Sequence, residues 1–234
     1  MIKAMILAAG LGTRLKPFTD LHPKALYVVE GKTLLEHAII HLRSAGITDI
    51  IVNVHHFANQ IIEYIHLNKN FGINISISDE TGELLETGGG LQKAGWFFEG
   101  CDCAIVRNVD IISDLDLTTM TGFHLGNSSI ATLAIRNRET SRYFLFDERM
   151  NLCGWENRKT GERILSYEPT IYKVFAFSGI QVIDPGLVPL INETGKFSLT
   201  SLYLRLAKTK QVKGYVEDGL LWKDIGTMEK NIEG

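Results

Sequence analysis

The stretch LAAGLGTRLKPFTDLHPKAL, residues 7–26, sets two glycines, a threonine and an arginine directly behind a short apolar run, with a lysine ten residues beyond the arginine. The run 1–7 suits a buried parallel strand, because strands covered on both faces read as continuous hydrophobic segments. A glycine turn leaving such a strand is where open α/β sheets receive phosphate groups. The next segments agree. TLLEHAIIHLRSAG, 33–46, opens with Thr33 and Glu36 in capping-box spacing, aligns Leu35, Ala38, Ile39 and Leu42 on one face and stops at Gly46, which predicts a helix. DIIVNV (49–54), FANQIIEYIHLN (57–68) and INISIS (73–78) read as strand, helix and strand. The resulting βαβαβ order predicts an α/β protein: a Rossmann-like, mixed but mainly parallel sheet flanked by helices, with its site beyond the C-terminal strand ends.

Further along, Gly88, Gly89 and Gly90 lead into a helix-like LQKAGWFF, and CAIVRN (103–108) reads as a fourth strand ending near Asp110. From 130 to 184 the segments ATLAIR, YFLFD, LCGWEN and YKVFAFSGIQVID are strand-like and separated by polar turns. They are expected to form hairpins and mixed strands that extend the sheet and make a small β-rich lid. SLTSLYLRLAKT (198–209) reads as a helix with Leu199, Leu202 and Leu206 inward, and the C-terminal stretch as a strand pair followed by a helix from about Thr227. One domain over 1–234 is expected, divided by the change of texture near 130 into a half over about 1–129 and a half with the lid over about 130–234; compact α/β units reach roughly 250 residues.

The chain has 234 residues, 45% hydrophobic and 22% charged, with net charge -3. That charge argues against a nucleic-acid-coating surface and leaves anionic ligands to a local basic site. Cys101, Cys103 and Cys153 form no CxxC pair, so zinc is not expected and a reducing, cytoplasmic setting is. No window approaches the roughly 20 apolar residues of a membrane span. A monomer or small homo-oligomer is expected.

Three glycine-loop chemistries compete for 8–16. A dinucleotide fingerprint needs a third glycine where Leu15 stands, and a P-loop needs a glycine where Leu26 stands ahead of Gly31, Lys32 and Thr33, so both patterns are broken. The third is a backbone nest around a triphosphate, with Arg14 supplying a planar fork and Lys24 a point charge. His55 and His56 are adjacent on extended chain and face opposite ways, and Trp96, Phe97 and Phe98 read as core or interface.

Residues 7–26 resemble the signature of sugar-1-phosphate nucleotidyltransferases, A-G-x-G-T-R-L-x-P-x-T followed by P-K-P. The match comprises Ala9, Gly10, Gly12, Thr13, Arg14, Leu15, Pro17, Thr19, Pro23 and Lys24; Ala25 departs from the second proline. Glu86-Thr87-Gly88-Gly89-Gly90 is similar to the family's G-T-x-G segment, Asn108-Val109-Asp110 to N-G-D, Phe177-Ser178-Gly179-Ile180 to F-x-G-I, and Trp222-Lys223-Asp224-Ile225-Gly226-Thr227 to W-x-D-V-G-T. The chain looks most like the short branch of N-acetylmuramic acid-1-phosphate uridylyltransferases and mannose-1-phosphate guanylyltransferase-like proteins.

The resemblance implies the nucleotide-diphospho-sugar transferase fold and a reaction in which a sugar 1-phosphate attacks the α-phosphorus of an NTP and expels pyrophosphate. It implies Arg14, Lys24 and Asp110 as catalytic residues and Asp110 with Asp224 as Mg²⁺ ligands. Nucleotide contacts would come from Ala8, Ala9, Gly10, Gly12, Thr13, Thr87, Gly88 and Gly89, and sugar contacts from Asn108, Ser178 and Gly179. Leu84 and Leu85 occupy the region where many pyrimidine-specific relatives carry a glutamine, which leaves base readout to backbone groups; UTP and GTP lead, with CTP open because cholinephosphate cytidylyltransferases share the loop. Glu139, Arg142, Glu156, Lys159 and Glu162 lie in the lid without the family's E-K-P pattern, and none is assigned. A non-catalytic nucleotide sensor is the reading of another class, and retention of Lys24, Asp110 and Asp224 argues against it.

Overall fold

A computed structural model describes residues 1–226; the helix expected from about Thr227 lies outside them. The strands are β1 (Ile2–Leu7), β2 (Val28–Val29), β3 (Lys32–Thr33), β4 (Asp49–Val54), β5 (Asn74–Asp79), β6 (Cys103–Asn108), β7 (Ile111–Ser113), β8 (Ala131–Arg136), β9 (Arg142–Phe146), β10 (Leu152–Asn157), β11 (Glu162–Leu165), β12 (Lys173–Ile183), β13 (Val212–Val216) and β14 (Trp222–Asp224). The helices are α1 (Leu34–Ser44), α2 (Ala58–Leu67), α3 (Glu86–Lys93), α4 (Leu117–Asn127) and α5 (Leu199–Leu206).

A ten-stranded sheet runs β11-β10-β9-β12-β6-β1-β4-β5, with β8 pairing both β12 and β13. β6, β1, β4 and β5 are mutually parallel, and β12 enters antiparallel beside β6. The α/β expectation is met, and the βαβαβ start is β1-α1-β4-α2-β5. Alternate residues of the buried strands feed two cores: Ala4, Ile6, Ile50, Val52 and Ile105 join the helices α1 and α2, whereas Met5, Ile51, Ala104 and Val106 join α3 and α5. Successive side chains point to opposite faces, so a strand covered twice has no polar alternation. Helix α1 starts as expected, with Thr33 Oγ1 accepting from Glu36 N at 3.1 Å. Among the described residues no helix is long and apolar enough to cross a membrane, and Cys101, Cys103 and Cys153 are free and buried.

Three expectations are corrected. The glycine triplet does not precede a helix over 91–98 but lies inside α3, and 95–98 is a 3-10 turn. Residues 111–129, for which the sequence set no expectation, contain β7 and α4. The C-terminal strands do not pair with each other: β13 runs parallel to β8 and β14 antiparallel to β7. β8, expected near the lid, is inserted between β12 and β13 in the main sheet, and β9, β10 and β11 form the antiparallel extension.

Candidate active site

Beyond β1 the chain turns at Gly12, whose φ is 62°. A Cβ there would stand 2.8 Å from Lys24 Cβ and 3.0 Å from Thr19 Cγ2, so both the left-handed backbone and the close approach demand glycine. Gly12 O accepts from Leu15 N at 2.9 Å and from Thr19 Oγ1 at 3.0 Å. These bonds fold 12–15 into a tight turn and lay the stem of Lys24 against it. Ala25, in place of the family's proline, is fully buried in the 3-10 turn Lys24–Leu26.

Lys24 Nζ donates to Asp110 Oδ2 at 2.6 Å, with the two side chains only 16% and 13% exposed. Asp110 follows β6, and its carbonyl accepts from Ile225 N at 3.0 Å. That bond continues the β7–β14 ladder, in which Asp224 stands opposite Ile111. A Cβ on Gly226 would lie 2.7 Å from Asp110 Oδ2 and 3.2 Å from Asp224 Oδ1. Both carboxylates therefore converge over a residue with no side chain, and Arg14 Nη1 reaches Gly226 O at 3.5 Å. Segments more than a hundred residues apart thus meet at one point.

Beneath this point Arg107 is fully buried on β6 and donates to Ile111 O and, at 2.8 Å, to His41 Nδ1. His41 Nε2 lies 2.8 Å from Leu115 O. A carbonyl only accepts, so Nε2 carries the proton and Nδ1 is free to accept from Arg107. Burial, and then the guanidinium, push the His41 pKa down to about 4; burial brings Arg107 to about 10. The guanidinium thus ties the backbone beside Asp110 to α1.

Two cavities meet at Lys24 and Asp110. One of about 230 Å³ is lined by Gly12, Thr13, Arg14, Leu15, Lys24, Asp110 and Gly226. The other, about 430 Å³, is walled by Leu7, Ala9, Gly10, Asn53, Leu84, Glu86, Thr87, Asn108, Arg142 and Ser198 as well as the shared pair. Nine of the residues singled out in the sequence (Ala9, Gly10, Gly12, Thr13, Arg14, Lys24, Thr87, Asn108 and Asp110) line one or both.

The others sit differently. Ala8 is buried and its N–H donates to Asn53 Oδ1 at 2.7 Å. The N–H groups of Gly88 and Gly89 donate to Phe197 O at 2.9 and 3.3 Å, and a Cβ on either would collide with Phe197 or Gly195 O. Both glycines pack α3 against the loop before α5 rather than walling the cavity. Ser178 is buried, its hydroxyl donates to Glu217, and its carbonyl accepts from Trp222 Nε1 at 2.8 Å. Gly179, with φ 80°, backs onto Ile111 and Asn108, which places it behind the part of the cavity wall that Asn108 forms. His55 is half-buried and His56 exposed; Phe97 and Phe98 are buried while Trp96 is exposed.

Sequence reasoning passed over Asn53 and Glu80, and left Arg142 among the lid residues without a role. Asn53 Nδ2 donates to Glu80 Oε1 at 2.7 Å, and Leu85 N donates to Glu80 Oε2 at 3.3 Å. Glu80 is completely buried, and that burial raises its pKa above the ordinary glutamate value. The relay Ala8-Asn53-Glu80-Leu85 fixes the loop over the larger cavity relative to β1. An asparagine at the C-terminal end of an apolar parallel strand was the available signal. For Arg142 the lid position was the signal, but nothing local separated it from Glu139, Glu156, Lys159 and Glu162, because its place at the cavity depends on how β9 packs.

A parallel sheet whose strand ends carry a cation-bearing glycine turn, a paired lysine and aspartate, and two converging carboxylates has the chemistry suited to phosphate groups. The family profile described as nucleotidyl transferase matches residues 3–145, and the chain belongs to that family. It is 31% identical over 242 residues to an N-acetylmuramate alpha-1-phosphate uridylyltransferase of Caulobacter vibrioides, covering 95% of this chain and 91% of that one. It is 39% identical over 227 residues to the enzyme of the same name from Neisseria meningitidis serogroup B, with 97% and 94% covered. In fold it matches HddC from Yersinia pseudotuberculosis complexed with GMP-PN, at TM-score 0.77 and 23% identity, over 97% of this chain and 94% of that one.

Proposed function

We propose that this protein transfers a uridylyl group from UTP to the phosphate of a sugar 1-phosphate, with N-acetylmuramate 1-phosphate the first acceptor to test. The observation that carries the reading is the Lys24–Asp110 pair at the junction of the two cavities. A nucleotide whose base and sugar occupy the larger space and whose β- and γ-phosphates occupy the smaller one puts its α-phosphorus at that junction. The shared activity of the two relatives matched over nearly their whole lengths favours UTP and an N-acetylmuramate acceptor.

The nucleophile needs little activation, because a phosphate monoester with a second pKa near 6 is largely dianionic at neutral pH. The obstacle is converging negative charge, so the protein contributes alignment and electrostatics. Arg14 grips the departing phosphates, Lys24 meets the α-phosphate and the bond that breaks, and the loop at Gly10, Gly12 and Thr13 supplies backbone donors. The donor set at Gly226 fits Mg²⁺: two hard carboxylates converge there, and among the described residues no larger cluster forms a full protein cage. Mg²⁺ retains waters and phosphate oxygens in its shell and asks for only one or two carboxylates. Asp110 and Asp224 would hold it, and it would supply charge neutralisation on the phosphate oxygens.

The test is pyrophosphate release from a matrix of UTP, GTP, CTP, ATP and dTTP against a panel of sugar 1-phosphates and phosphocholine, with and without Mg²⁺. UTP with N-acetylmuramate 1-phosphate is expected to lead. Release only with CTP and phosphocholine would replace the reading, and nucleotide binding with no release from any pair would favour a sensor.

A further inference from the structure

We propose that Arg142 is the residue that receives the anionic group of the acceptor sugar phosphate; this rests on the nucleotidyl-transfer reading and deepens it. Four ionisable side chains line the larger cavity: Lys24, Glu86, Asp110 and Arg142. Lys24 is engaged by Asp110, and Glu86 lies 3.8 Å from Lys196. The Arg142 guanidinium alone of these four has no hydrogen bond or ion pair among the described residues.

Three arginines near it are instead held by the protein. Arg136 donates to Leu220 O and stands 3.7 Å from Glu217. Arg138 donates to Phe177 O and lies over the Trp222 ring. Arg158 bonds Glu156 and stacks on Tyr143. Each of these is anchored by protein. Arg142 is not, yet its backbone is held firmly: it opens β9 opposite Asn157 of β10, and the next residue, buried Tyr143, accepts from Thr140 N through its hydroxyl at 2.9 Å.

Arg142 is exposed and forms part of the cavity wall; an uncommitted guanidinium on a fixed backbone there is suited to a ligand's oxyanion, because the planar fork binds phosphate or carboxylate through two parallel N–H···O bonds. Its origin identifies which substrate. The phosphate loop already brings Arg14 and Lys24 from the β1 side, whereas Arg142 enters from β9, across β12 from β6. The acceptor brings a second dianion into the larger cavity, where the one other cation is bonded to Asp110. The anionic group is the 1-phosphate itself or a carboxylate borne by the sugar.

The test compares the full-length wild type with Arg142→Met and Arg142→Lys. Steady-state kinetics vary the sugar phosphate at saturating UTP and then UTP at saturating sugar phosphate. Calorimetry measures direct binding of N-acetylmuramate 1-phosphate and N-acetylglucosamine 1-phosphate, and melting temperature monitors the fold. Arg142→Met is expected to weaken the sugar phosphate, in KM and in calorimetric affinity, by about 10- to 100-fold, the range of a lost charge-assisted bond. KM for UTP should stay within about twofold and the melting temperature unchanged, with partial recovery in Arg142→Lys, which keeps the charge but not the fork. Equal loss for both sugars assigns the contact to the phosphate, and loss confined to the muramate assigns it to the carboxylate. Unchanged sugar-phosphate affinity, a rise in KM for UTP instead, or no sugar-phosphate binding by the wild type would overturn the proposal. A wild type that binds sugar phosphate through Arg142 but releases no pyrophosphate would overturn the transfer reading alone.

Discussion

Replacing Gly88 by alanine puts the packing of the cavity wall to a quantitative test. In an exposed helix interior the change is favourable by about 1 kcal/mol. Gly88 is instead buried within α3, where a Cβ would lie 2.4 Å from Cδ2 and Cε2 of Phe197 and 2.9 Å from its carbonyl oxygen. The ring contact falls about 1 Å short of an ordinary carbon–carbon approach. The ring is only partly buried, whereas the carbonyl is held by the amides of Gly88 and Gly89. Overpacking of this kind costs about 1–3 kcal/mol, and the tied carbonyl places this site toward the upper end. After the helix gain, a net loss of about 1–2 kcal/mol lowers the melting temperature by about 2–8 °C for a chain of this length. Gly89→Ala, aimed at Gly195 O at 2.3 Å, should be worse. Gly122→Ala, an exposed position in α4 with nothing within 4 Å of the new Cβ, should instead raise stability. Thr87 and Ser198 flank the displaced contact and line the cavity, so Gly88→Ala should also raise KM for the nucleotide. Thermal melts and initial rates on the three variants decide it: if Gly88→Ala melts as high as Gly122→Ala with an unchanged nucleotide KM, the packing argument is wrong.

Lys24→Ala and Asp110→Ala should each lower kcat by at least about 100-fold, the scale of losing one preorganised electrostatic partner, while circular dichroism stays native; near-normal pyrophosphate release by either purified variant refutes their assignment. Gly226→Ala should fold, since its backbone is not left-handed, yet require more Mg²⁺ for half-maximal rate, because the new methyl group crowds both aspartates; an unchanged Mg²⁺ titration counts against the carboxylate pair as its site. His41 and His124 are held neutral, mainly by burial, with pKa values pushed from 6.5 to about 4. Depressed folded values mean their contribution is intact above about pH 6.5 and is lost as pH falls toward 4, at up to about 1.4 kcal/mol per pH unit for each. Urea stability should therefore decline less steeply between pH 6.5 and 4.5 in His124→Gln than in the wild type, and parallel curves would refute it.

The first half of the fold was legible because local signals and tertiary packing agree there: α1 carries its cap, its apolar stripe and its terminal glycine in one window. Helix α4, LTTMTGFHLGN, was not. Its buried positions Leu117, Met120, Thr121 and His124 do follow helical spacing, but half of them are polar, and His124 is accommodated by a bond to Thr132 Oγ1 at 2.9 Å that no local pattern announces. The Gly88, Gly89 and Gly90 run looked like a loop because three glycines disfavour a helix; their reason is close approach of Phe197, Gly195 and Glu80. At the site, Arg14, Lys24, Asp110 and Asp224 stood out as charges beside glycines and strand ends. Glu80 and Arg107 did not, since a fully buried charge becomes recognisable only once its partners are in place.

Strand β12 pairs with β6 and β8 through Gln181, Val182 and Ile183, and with β9 through Lys173, Val174 and Phe175. Between these segments its register with β8 shifts, from Phe177 to Gln181, around left-handed Gly179. The consequence is mechanical: one continuous beam carries both the wall bearing Asn108 and Asp110 and the extension bearing Arg142. Rotating the extension as a hinged body would tear the β9–β12 ladder, so any enclosure of substrate falls to connecting loops such as 80–85 and 137–141. Exchanging β9–β11 with a relative must preserve the irregularity at Gly179, because it separates the part of β12 that pairs with β6 from the part that pairs with β9.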